Sequence, residues 1–74
     1  PYQTIMDVGG GHGRLLAAIL AAAPTASGVL LEIPDVAAGA LPLLRKLGVA
    51  DRVRIETGSF FDGIPAGADL YVLK

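Results

Sequence analysis

The chain has 74 residues, of which 53% are hydrophobic and 18% charged, with a formal net charge of −1. That balance belongs to a globular core, and it excludes a disordered tail and a basic surface for nucleic acid. With no cysteine and one histidine there is no disulfide and no thiolate or histidine-cluster metal site, and LLAAILAAAP falls far short of the roughly 20 apolar residues of a membrane span.

Residues 3–8, QTIMDV, end in a short apolar run and read as a strand. Glycines crowd positions 9–13. The run RLLAAILAAA, 14–23, then carries leucine, alanine and isoleucine at helical spacing, which predicts a helix ended by Pro24. It is apolar nearly all round, a pattern that suits burial against a sheet and other helices. Residues 28–33, GVLLEI, form a continuous apolar run broken by one acid, as in a parallel strand covered on both faces.

Pro34-Asp35 opens a second helical segment, with Asp35 as the expected N-cap. The segment runs toward Leu47 and stops at Gly48, with Arg45 and Lys46 well placed in its last turn. Pro42 should kink or split it nearby. RVRIET, 52–57, alternates and places Val53 and Ile55 on one face. The loop DGIPAGA leads to a last strand at 69–74, with Tyr71 expected in the core. The order β-α-β-α-β-loop-β predicts an α/β fold, a doubly wound parallel sheet with right-handed crossovers, of which this chain holds about the first four strands. There is no internal repeat, linker or second domain. A chain this short buries only about 60% of its unfolded surface. It begins at Pro1 and ends on the apolar run DLYVLK, so we expect an excerpt of a larger domain.

The glycine cluster separates three kinds of phosphate or nucleotide loop by counting. A Walker loop needs a Gly-Lys pair five positions after its first glycine; Arg14 stands there, and no Gly-Lys pair exists. The dinucleotide fingerprint G-x-G-x-x-G accepts Gly9 and Gly11 but puts its third glycine at 14. Here the third glycine is Gly13. The pattern is acid-x-G-x-G-x-G, from Asp7 to Gly13.

That pattern, between a first strand and a first helix, resembles the S-adenosylmethionine loop of class I methyltransferases. LEIPDV, GVADRV, ETGSFFDGIP and the closing DLYVLK extend the resemblance over essentially the whole chain. They resemble a narrower group, the small-molecule O-methyltransferases typified by plant caffeate-type enzymes and bacterial antibiotic-pathway relatives. The resemblance implies a Rossmann-like methyltransferase core in which residues 1–74 are the N-terminal part of the S-adenosylmethionine-binding catalytic domain. It implies a cytoplasmic enzyme that methylates a hydroxyl of a small, aromatic acceptor, and a homodimer formed through a region absent from these residues.

Carried over by residue, Gly9, Gly11 and Gly13 would line the methionine end of the cofactor. Glu32 would accept hydrogen bonds from the ribose hydroxyls, in place of the aspartate of many relatives. Ile33 would pack near the adenine and Phe60 would cover its face. Ser59 stands where relatives usually carry the aspartate that binds the adenine amine, so a neutral acceptor replaces a charged one. Lys74 matches a lysine lining the cofactor pocket. The family's catalytic base is a histidine a short way past that lysine, so no residue of this chain is assigned as catalytic.

Each of these positions also has a plainer use. Asp7 can satisfy the backbone amides of the tight turn, contact the cofactor, or do both. His12 is expected as an exposed turn residue rather than a base, because the loop faces the end of the cofactor remote from the acceptor. Arg14 is unfavourable in a first helical turn unless an anionic neighbour, such as the methionine carboxylate, offsets it. Phe60 and Phe61 could equally be core. Two other readings remain: a nicotinamide-dinucleotide domain with an irregular loop, and a non-catalytic methyltransferase-like scaffold.

Overall fold

The structure is a computed structural model that describes residues 3–9, 11–58 and 67–73. Four strands form one parallel sheet: β1 (Thr4–Val8), β2 (Ser27–Glu32), β3 (Val53–Thr57) and β4 (Leu70–Leu73), in the order β3-β2-β1-β4. The chain steps outward from β1 to β2 to β3 and returns to the opposite side of β1 for β4. That reversal is the doubly wound arrangement expected from the order of elements. Register is tight at the centre, with Asp7 opposite Leu30 of β2 and Val72 of β4.

Alternation along the strands sorts side chains to two faces. One face carries Ile5 and Leu30 and packs against Leu16, Ala17 and Leu20 of helix α1 (Arg14–Ala22) and against Leu44 of helix α3 (Ala40–Lys46). Val53 and Ile55 of β3 pack on this same cluster, as their spacing predicts. The opposite face gathers Met6, Val8, Val29 and Leu31. Gly28 is small for a packing reason: a Cβ there would lie 3.0 Å from Leu16 Cδ1 and 3.2 Å from Leu20 Cδ1. Its bare backbone lets α1 lie close on β2.

Three local expectations are corrected, and one, the break near Pro42, is met. The all-round apolar pattern of α1 is only partly used, and Leu15 is 43% exposed. The second helical segment is split into α2 (Pro34–Ala37) and α3, and the split falls at Ala38–Gly39, ahead of Pro42. The proline explains that position. Its ring would clash with the carbonyl four residues back, at Ala38, and it sits in the first turn of α3, where a missing N–H costs nothing. Asp35 is not the N-cap: Ile33 holds that place, extended at φ −69° and ψ 152°, and Pro34 takes the first helical position. Tyr71 is not core but 36% exposed, because β4 pairs with β1 alone among the described strands.

Two long-range contacts tie the ends of elements together. Asp69 Oδ2 accepts from the amides of Gln3 and Thr4 at 3.0 and 2.9 Å, fixing the start of β4 on the start of β1. Arg52, expected as the first residue of β3, instead ends a 3-10 turn (Ala50–Arg52) and turns its side chain onto the end of α1. Its guanidinium donates to the carbonyls of Leu20, Ala23 and Ala26 at 2.9, 2.6 and 2.9 Å. The helix has no basic residue in its own last turn, so Arg52 supplies from afar the charge and donors that its C-terminus lacks.

Candidate functional site

The site forms where β1 and β2 end. Gly9 continues the β1–β2 pairing, its amide donating to the Leu31 carbonyl at 2.9 Å. From there Gly9, Gly11 and Gly13 take φ values of +68°, +68° and +85°. Side-chain-bearing residues avoid that region, so the three alternating glycines are required by the path of the turn. Gly13 is also the N-cap of α1, and it has no side chain with which to cap that N-terminus.

The surroundings of the glycines differ. A Cβ on Gly13 would meet Leu44 Cδ2 at 3.2 Å and Leu30 Cδ2 at 3.4 Å, so this end of the loop is pressed on the core. Among the described residues, a Cβ on Gly11 would meet nothing within 4 Å. Gly11 therefore presents bare backbone to open space. That is the cradle a close-lying ligand needs.

Glu32 sits beside it. The residue is only 6% exposed, and its carboxylate accepts from the Gly11 amide through Oε2 and from the Ile33 amide through Oε1, each at 2.9 Å. Burial of a charge is tolerated here because both oxygens are hydrogen-bonded. Each oxygen keeps a further lone pair, so ribose hydroxyls can still be accepted. Glu32, expected as a ribose acceptor, thus also shapes the loop. Ile33, next in the chain, is 47% exposed at the entrance to α2. Asp7 is fully buried at the end of β1, on the face of Ile5. Structure therefore brings together Asp7, Gly9, Gly11, Gly13, Glu32 and Ile33; Ser59, Phe60 and Lys74 lie outside the described residues.

Sequence reasoning missed Gly39. It stands at the N-cap of α3, and a Cβ there would lie 2.7 Å from His12 Nε2. The only available signal was a glycine inside a helical segment, three residues before a proline. Among the described residues no group of histidine and acid side chains is arranged to hold a metal ion.

Strand order reverses between β1 and β4, beside the strand end from which the glycine loop leaves, the place at which open α/β sheets receive their ligands, and the chain falls in the class of Rossmann-like cofactor cores. Within that class it belongs to the O-methyltransferase domain family, which matches residues 1–74. It is 49% identical over 99% of its length to O-demethylpuromycin-O-methyltransferase of Streptomyces alboniger, of which it covers 19%. An aclacinomycin 10-hydroxylase of Streptomyces purpurascens is 42% identical over 95% of the chain, which covers 19% of it. The structure of a mitomycin 7-O-methyltransferase superposes with a TM-score of 0.92 at 51% identity, covering 99% of this chain and 22% of that one. An O-methyltransferase from neocarzinostatin biosynthesis, solved with S-adenosyl-L-homocysteine, gives 0.85 at 43% identity, covering 95% of this chain and 23% of that one. The chain thus spans about a fifth of the proteins it matches.

Proposed function

We propose that these residues are the cofactor-binding part of an S-adenosylmethionine-dependent O-methyltransferase acting on a hydroxyl of a small aromatic molecule. The observation that carries the reading is the pairing of Gly11, open-faced at φ +68°, with the buried carboxylate of Glu32. A loop that must admit bare backbone against a ligand, beside an acid with spare lone pairs, suits a nucleoside linked to an amino acid better than a pyrophosphate.

When bound, the cofactor supplies an activated methyl group on a sulfonium centre. The chain's own part is to bind and orient it. Gly9, Gly11 and Gly13 would lie along its methionine end, Glu32 would accept from the ribose hydroxyls, and Ile33 would offer apolar surface to the base. Ser59, Phe60 and Lys74 complete the proposed set. Asp7, buried at the same strand end, belongs with it. Such placement lowers the barrier by proximity and alignment. Proton removal from the acceptor falls to a base beyond Lys74 in this reading. A cytoplasmic homodimer belongs to the same reading and rests on the family resemblance.

Calorimetric titration of the full-length protein with S-adenosylhomocysteine and with NAD tests the cofactor. Tight binding of the first and none of the second is expected; the reverse overturns the reading. The hydroxylase relative, 42% identical through this same region, favours a second reading in which the core serves a different reaction. Mass analysis of products from small phenolic acceptors separates the two: a gain of one methyl group supports methyl transfer, a gain of one oxygen the alternative.

A further inference from the structure

We propose that His12 and Gly39 form a steric clamp that holds the glycine loop in its cofactor-receiving shape, which makes His12 a positioning residue. The inference rests on the reading of the loop given above.

His12 carries the only side chain in the sequence from Gly9 to Gly13. Its neighbours Gly11 and Gly13 are the residues with the widest backbone freedom, and both are held at positive φ. Any grip on a side chain of the loop itself must therefore be a grip on His12. Backbone and core hold the other positions: Gly9 through Leu31, Gly11 through Glu32, and Gly13 against Leu44 and Leu30.

Gly39 supplies the opposing surface. Its φ of −88° and ψ of −7° are open to any residue, so the backbone does not demand glycine there. Space does. A Cβ would stand 2.7, 3.1 and 3.3 Å from Nε2, Cε1 and Cδ2 of His12, so the outer edge of the imidazole closes directly on the bare Cα. The break between α2 and α3, placed by Pro42, brings that Cα to the loop. His12 is exposed, so displacing its ring does not disturb the buried core. A methyl group at Gly39 should consequently move the imidazole, and with it the peptides on either side, while leaving the core intact.

The test uses the full-length enzyme and the variants G39A, H12A and H12A/G39A, each titrated with S-adenosylhomocysteine and melted without ligand. We expect G39A and H12A each to weaken binding about tenfold by loss of pre-organisation, with little change in melting temperature. In the H12A background G39A should add nothing further, because the group it strikes is gone. Wild-type affinity in G39A overturns the clamp, as does an equal loss from G39A with and without His12. Should G39A fail to fold, H12A decides: unchanged affinity overturns the clamp, and a loss supports it. A wild-type protein that does not bind S-adenosylhomocysteine overturns the cofactor reading itself, an outcome distinct from failure of the clamp alone.

Discussion

Glu32 Oε2 accepts the Gly11 amide at 2.9 Å, so the acid that ends β2 is bonded to the loop that leaves β1. One carboxylate thereby fixes the glycine loop, and under the proposed function it would also offer its remaining lone pairs to a ribose.

Glu32→Ala tests both at once. Charge-assisted hydrogen bonds contribute about 1.5–3 kcal/mol each, so loss of the ribose contacts should weaken S-adenosylhomocysteine binding by about ten- to a hundredfold. Because the amides of Gly11 and Ile33 also lose their acceptor, stability should fall by about 1–3 kcal/mol. Glu32→Gln should be milder on both counts, since one amide oxygen still accepts. Calorimetry and urea denaturation read the two effects. Affinity and stability both equal to wild type would reduce Glu32 to a spectator.

The glycines of the loop should separate by environment. Gly11→Ala keeps open space around its Cβ but holds an L-residue at φ +68°, a cost of about 1–2 kcal/mol. The protein should still fold and yet lose cofactor binding. Gly13→Ala adds overpacking against Leu44 and Leu30, a further ~1–3 kcal/mol. Gly11→Val in a folded protein with unchanged affinity would disprove the assignment of the loop.

Two arginines on either side of Val53 predict opposite results. Arg52→Ala strips donors from the Leu20, Ala23 and Ala26 carbonyls and should cost about 2–4 kcal/mol in denaturant unfolding. Arg52→Lys should recover part of that, as an ammonium cannot reach all three in one plane. Arg54 makes a solvated pair with Glu56 at 3.5 Å, its side chain 71% exposed. Arg54→Ala should change stability by no more than about 0.5 kcal/mol. Equal effects at the two positions would contradict the role given to Arg52.

Residues 3 to 57 show which levels of structure were legible in the chain itself. Strand and helix identity followed from periodicity, because a half-buried strand and a buried helix face each write their own repeat into the residue order. The glycine spacing that ends at Gly13 and not at 14 likewise distinguished one kind of loop from another, since positive φ is a local demand that glycine meets at each position separately. Contacts between distant residues left no such trace. Nothing about Arg52 announces that it will cap a helix ending thirty residues earlier, and nothing about Gly39 announces His12. The burial of Glu32 and its bond to Gly11 depend on β1 and β2 lying side by side, with their ends at one level. Local backbone preference and hydrophobic alternation are properties of neighbouring residues, so the sequence determined them by itself. Charge burial, capping at a distance and the shape of the loop depend on which strand ends come together, and only the folded sheet decided that.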